Sequence, residues 1–219
     1  MKLATSFSPT RTEAQEKATL SWERYNLPIV AVQCYGEDYA KHFTNNIHWV
    51  KPNLHWSKRT PAIVDILQVV DEPTIFLNSD IELDIDLDDW QPEPDVLTIG
   101  LRTDYCPKFI QLNKYGIDVF LLTPEMKEAL TNNIWALGIP GWDYWVVWKL
   151  IESGYDLKII KEDIKHAAHH EQWNKDDYRR CAKLLEFEFD IPITDLSDKL
   201  QEITGRTHLS KKVYREDGE

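Results

Sequence analysis

An apolar run that stops at a carboxylate is the first place in this chain where residue types could do chemistry. Thr74-Ile75-Phe76-Leu77 reads as a buried strand, and it ends at Asn78-Ser79-Asp80. An Asp held at a rigid strand end is the hard oxygen ligand that a divalent cation takes. The plainer reading makes Asp80 the first residue of a solvated acidic loop that runs to Asp95. Three of the seven histidines, His166, His169 and His170, fall within five residues. Residues three apart on a helical turn can face one ligand, and imidazole joins carboxylate in sites for cations such as Mn2+ or Zn2+. A polar surface turn would group the same histidines without any ligand. Neither HExxH nor a Cys partner accompanies them, so a tetrahedral zinc site is not indicated.

A third group is Gly141-Trp142-Asp143-Tyr144-Trp145. Asp143 stands in the first turn of an expected helix, where the dipole favours its ionised form. There it could hydrogen-bond a sugar hydroxyl or accept its proton, while Trp142, Tyr144, Trp145 and Trp148 could offer apolar faces to a sugar ring. The alternative is a helix-start carboxylate beside core tryptophans, and with nine tryptophans in the chain several must be core. Positive charge near the expected strand ends comes from Arg11, Lys58, Arg59 and Arg102. Lys58-Arg59 precedes Thr60-Pro61, a cap followed by a first-turn proline, which suits an anion.

The elements that must position these groups alternate. Met1 to Ser6 reads as a strand. A helix follows, with Thr10 and Glu13 in capping-box spacing and Ala14, Ala18, Trp22 and Tyr25 on one face. Ile29 to Val32 is a continuous apolar run of the kind found in buried parallel strands. A helix is expected from Thr60 to about Val70, then the strand at 74–77, two further strands at 96–101 and 117–122, and a helix opened by Thr123-Pro124-Glu125. The Trp142 helix should stop at Gly154, ahead of a short strand at 157–160. This alternation predicts an α/β fold with a mostly parallel central sheet flanked by helices. In such sheets ligands bind beyond the carboxyl ends of the strands.

Composition narrows the chemistry. With 42% hydrophobic and 11% aromatic residues the chain can bury a sizeable core. A net charge of −12 repels nucleic acid, so no nucleic-acid partner is expected. The same charge repels a nucleoside diphosphate, which would need local cations or a divalent metal. No GxGxxG and no GxxxxGK[ST] occurs, which disfavours dinucleotide dehydrogenases and P-loop enzymes. No run approaches a membrane span. Three widely spaced cysteines make no disulfide framework, so a cytoplasmic location is the expectation.

Taken in order, these pieces resemble the GT-A glycosyltransferases over most of residues 1–170. The resemblance implies a Rossmann-like nucleotide-sugar fold in which Thr5, Ser6 and Phe7, at the end of the first strand, meet the nucleotide. Arg11 and Arg59 would serve its phosphates. Asn78-Ser79-Asp80 stands where that family carries its DxD motif, with Asn78 in place of the first Asp. Asp80 would bind Mn2+ (or Mg2+), and Asn78 and Ser79 would contact the nucleotide. Gly-Ile-Asp-Val-Phe at 116–120, Ile-Pro-Gly-Trp-Asp-Tyr-Trp at 139–145 and the histidines resemble one GT-A subgroup. By that likeness Asp143 is the base or acceptor contact, Trp142 and Tyr144 line the acceptor site, and His166 or His169 completes the metal shell. The partners implied are a nucleotide-sugar donor, UDP-sugar by family frequency, and a saccharide or other hydroxyl acceptor.

Residues 171–219 lie outside the resemblance and read as a C-terminal helical extension on a 1–170 catalytic domain. Its helix from Asn174 to Phe189 presents Tyr178, Cys181, Ala182, Leu185 and Phe189 on an apolar face. That face would cap the sheet, cover the site or form a homodimer. Two rival functions stand beside sugar transfer. A sugar-phosphate nucleotidyltransferase would carry a Gly-rich basic loop after the first strand, and Thr5 to Arg11 contains no glycine. A non-catalytic binding protein on the same fold is the other.

Overall fold

The computed structural model describes residues 1–56, 59–106, 109–160, 163–167 and 175–192, together with 195, 198, 199, 202, 213 and 214. In chain order its strands are β1 (Lys2–Thr5), β2 (Ile29–Cys34), β3 (Ile47–Val50), β4 (Thr74–Leu77), β5 (Ile81–Asp84), β6 (Val96–Cys106), β7 (Phe109–Leu122), β8 (Asp156–Ile160), β9 (Asp163–Ala167) and β10 (Val213–Tyr214). The helices are α1 (Thr12–Glu23), α2 (Ile63–Leu67), α3 (Lys127–Leu130), α4 (Trp142–Glu152) and α5 (Lys175–Phe189).

The apolar runs become the middle of one sheet of order β3-β2-β1-β4-β7-β6-β9-β5, with β8 also on β6 and β10 on β7. The first four strands are parallel. These runs are apolar throughout because both faces are covered and successive side chains feed opposite layers. Phe76, Phe120 and Leu122 enter a core with α2, α4 and α5. Ile75, Leu77, Val119 and Leu121 enter a second core with Trp22 of α1.

The sheet is mixed rather than parallel throughout. Strand β7 runs antiparallel to β4, and β6 antiparallel to β7. The two strands expected at 96–101 and 117–122 are therefore the bases of one long hairpin. Register breaks on either side of Leu101 divide β6 in two. Its first half, to Gly100, pairs with β8 and its second, from Thr103, with β9. A break of this kind re-aims side chains, and Arg102 lies within it.

Local cap chemistry departs from expectation at two helices. The N-cap of α1 is Arg11 in the left-handed region, without a side-chain cap bond, while Thr10 exchanges a bond with Ser8. Thr60-Pro61 opens no helix. Residues 60–62 instead run extended against 135–137, with an Ala62–Ala136 bridge and Thr60 Oγ1 donating to the Leu137 carbonyl. Helix α2 therefore starts only at Ile63. That tertiary pairing overrides a local cap signal.

Helix α5 docks Cys181, Leu185 and Phe189 into the α4 core, while Tyr178 stays exposed, so its stripe is narrower than expected. Leu185 meets α4 at its start. Gly141, the α4 N-cap at φ 78, would place an added Cβ 2.9 Å from Leu185 Cδ1. Leu185→Ala should cost about 2–4 kcal/mol in chemical denaturation. An unchanged midpoint would show that α5 does not brace α4. Among the described residues no helix is long and apolar enough to cross a membrane.

Candidate functional site

The strand order carries Asn78-Ser79-Asp80, at the end of β4, towards the outer halves of β6 and β9. His166 of β9 lies in register with Ile81 of β5 on one side and Asp104 of β6 on the other. Its ring thereby sits between two carboxylates. Nε2 is 3.6 Å from Asp80 Oδ2, and Nδ1 donates to Asp104 Oδ1 at 2.7 Å. Burial lowers the imidazole pKa, but the hydrogen bonds to Asp104 and Asp80 outweigh it and raise His166 to about 9. His166 is on a strand, not on the helical turn that the spacing suggested, and His169 lies outside the described residues.

The remaining charges alternate around this pair. Arg11 Nη1 donates to Asp80 Oδ2 at 2.9 Å. Arg102 reaches Asp104 through Nε at 3.1 Å and Asp118 through Nη1 at 2.5 Å. Asp118 also accepts from Asn78 Nδ2 at 2.5 Å. Gly116 makes room for this arrangement, because a Cβ there would lie 2.4 Å from Arg102 Nε. Asp143, in the first turn of α4, is raised to about 7. Burial is the largest cause and the charge of Asp118 the next, partly offset by the Tyr144 amide and Arg102. A carboxyl poised there can give or take a proton at neutral pH.

Beside this cluster lies the loop after β1. Gln33, fully buried, accepts from Phe7 N at 3.1 Å and Ser6 Oγ at 3.4 Å and donates to the Phe7 carbonyl. Gln15 accepts from Ser8 N at 2.7 Å and from Ser79 Oγ at 2.8 Å. Two carboxamides thus hold the loop to β2 and to the triad.

Several expected contacts are placed elsewhere by the structure. Phe7 is core, stacked on Phe43 with centroids 4.3 Å apart. Trp142 is buried between Phe76 and Phe120, with centroids 5.5 and 5.4 Å away, so its ring serves the core rather than an acceptor sugar. Tyr144 is half-buried against the same core. Arg59 is exposed at no helix start; it pairs with Glu37 at 3.3 Å and donates to the Tyr35 carbonyl. Lys58 lies outside the described residues. Thr5 is fully buried, and its Oγ1 has no hydrogen-bond partner among the described residues.

Reading residues singly missed Asp104 and Gln15, and gave no role to Gln33, which follows the apolar run of β2, or to Asp118 of the Gly-Ile-Asp-Val-Phe segment. Two signals were available: a carboxylate inside the apolar run 117–122, and Arg102 and Asp104 two apart in a strand, hence on one face.

No group of three or more His, Cys, Asp or Glu side chains among the described residues is arranged to hold a metal. Asp80 supplies an oxygen donor, and His166 would supply a nitrogen donor on giving up the Nε2 proton that its raised pKa favours, with Asp104 behind the ring as the outer carboxylate that metal-bound histidines usually have. This pair fits a partial shell whose other positions a diphosphate and water could fill. Asp104→Asn should weaken Mn2+ binding by about 10–100-fold in calorimetry. Unaltered affinity would detach His166 from the cation.

No protein-family model matches the chain, and no curated protein is a significant sequence match. Among solved structures it is similar to the inositol-1-phosphate CTP transferase from T. maritima, with a TM-score of 0.52 over 92% of this chain and 97% of that one at 14% identity. A Bacillus anthracis structure provisionally assigned as a glucose-1-phosphate thymidylyltransferase covers 90% of this chain and 99% of its own, with a TM-score of 0.46 at 9% identity. The apo glycosyltransferase GlyE of Streptococcus pneumoniae TIGR4 has a TM-score of 0.38 at 14% identity over 90% of this chain and 52% of that one. The first likeness shows the fold: a mixed sheet flanked by helices, shared with that CTP transferase.

Proposed function

We propose that the chain is a metal-dependent glycosyltransferase that moves a sugar from a nucleoside-diphosphate donor, UDP-sugar first among candidates, to a hydroxyl acceptor. The observation that carries this reading is the meeting of Asp80 and His166, joined through Asp104, Arg102 and Asp118 to the electrostatic surroundings of Asp143, a carboxyl whose pKa is about 7. Asp80 and His166 would hold Mn2+ or Mg2+. When bound, the cation supplies charge neutralisation for the diphosphate and for the leaving nucleoside diphosphate. Thr5 and Ser6, at the end of β1, and Asn78 and Ser79, just past the adjacent parallel β4, mark the strand ends near which the nucleotide would lie. Asp143, once ionised, takes the proton of the acceptor hydroxyl as its oxygen bonds to the anomeric carbon and the bond from that carbon to the diphosphate breaks. A base in this role serves an inverting displacement.

Nucleotidyl transfer is the second reading, favoured by the size match to the CTP transferase. The loop after β1 speaks against it. Phosphate-cradling loops offer free backbone amides, whereas here Phe7 N bonds Gln33 and Ser8 N bonds Gln15. A screen of nucleotide sugars with Mn2+ separates the two. Slow release of nucleoside diphosphate from a sugar donor supports glycosyl transfer. Pyrophosphate release from a sugar phosphate and a nucleoside triphosphate would replace it with the second reading.

A further inference from the structure

We propose that Arg11 is a built-in counter-cation for Asp80: without ligand its guanidinium holds the oxygen a divalent cation would take, and the cation's arrival hands Arg11 to the donor's diphosphate. The inference rests on the metal assignment made above. Its basis is one atom. Asp80 Oδ2 accepts from Arg11 Nη1 at 2.9 Å and is also the oxygen that faces His166 Nε2 at 3.6 Å. Guanidinium and metal would therefore contend for one position, and two cations that close repel.

The two partners differ in freedom. The side chain of Asp80 is 7% exposed and that of Arg11 40% exposed, so Arg11 is the one that can swing away. Its backbone is held in place. Arg11 sits at φ 64 and ψ 34, a region that costs energy for any residue with a Cβ. Gln15 Nε2 donates to the carbonyls of Ser8 and Thr10, while its Oε1 accepts from Ser8 N and Ser79 Oγ. One buried carboxamide thus ties the loop bearing Arg11 to the residue beside Asp80, and the movement is confined to the arginine side chain.

A cation entering alone has to displace a guanidinium. A cation entering with a diphosphate gives the displaced guanidinium new oxygens to bond. Metal and nucleotide then bind with positive coupling, each tightening the other by the same factor.

Mn2+ titrations followed by the paramagnetic resonance signal of the free ion, with and without saturating UDP, test this. In Arg11→Met, Mn2+ alone should bind about tenfold more tightly than in wild type, and the factor by which UDP tightens Mn2+ should fall about tenfold. Arg11→Gly, which suits a positive φ, should do the same if the Met variant folds poorly. Arg11→Lys should stay near wild type. Mn2+ binding that is unchanged or weaker in the Met and Gly variants without UDP overturns the proposal, since loss of a merely structural arginine would not tighten a metal. Tightening by Arg11→Lys equal to that of Met also overturns it, because charge would not be the cause. No Mn2+ binding by wild type with UDP, nor by the variants without it, is a different failure: it removes the metal assignment and this proposal with it.

Discussion

Asp80→Ala should abolish the Mn2+-dependent binding of UDP proposed above, with the metal-dependent gain in affinity falling by about 100-fold or more, while the chain should still unfold in one cooperative transition. The expectation follows from what Asp80 touches. Its Oδ2 faces the Nε2 edge of His166 at 3.6 Å, opposite the Nδ1 edge that Asp104 holds, and its side chain is only 7% exposed. Removal also strips a partner from Arg11 and from His166. Arg11 is exposed enough to find water, and His166 keeps Asp104 and can give up its proton, so the cost to folding should be about 1–2 kcal/mol. Calorimetry with and without Mn2+, beside a thermal melt, checks both halves. Wild-type binding by a folded Asp80→Ala variant would take Asp80 out of the site.

Asp143→Asn should lower kcat by about 10²–10⁴-fold with little change in donor affinity. In the wild type, kcat/KM should rise with pH through an inflection near 7, where the Asp143 carboxyl ionises, and the variant should lose that limb. The same carboxyl makes a prediction about folding. Its pKa is raised from 3.8 to about 7 in the folded chain. The native state therefore holds an extra proton between those values, and stability falls as pH rises through that window. Asparagine cannot ionise, so the variant should gain about 1–2 kcal/mol on the wild type between pH 4 and pH 8, after allowance for solvent at this half-buried residue. A less active but more stable protein at neutral pH is the signature of a carboxylate kept for chemistry. Unchanged turnover would reduce Asp143 to a helix-start residue.

Much of the parallel half was legible in the chain. The strand at 74–77 falls where its apolar run falls, and α4 runs from Trp142 to a stop before Gly154, because those signals are local. The β6–β7 hairpin was legible only at its base, since its outer half is held by β9 and β10 rather than by apolar periodicity. The cap expected at Thr60-Pro61 failed for a similar reason: pairing with 135–137 outweighed it.

The site divides along the same line. Residue types and spacing alone determined that a carboxylate ends β4, that a histidine follows a late strand, and that a carboxylate opens α4, because each depends on a few neighbouring residues. Only the tertiary structure decided that Asp80 faces His166, that Asp104 and Asp118 join them through Arg102, and that Trp142 and Phe7 belong to the core. Those outcomes depend on register between strands up to 85 residues apart, Ile81 opposite His166, and a one-residue change in register would turn every such side chain to the other face of the sheet.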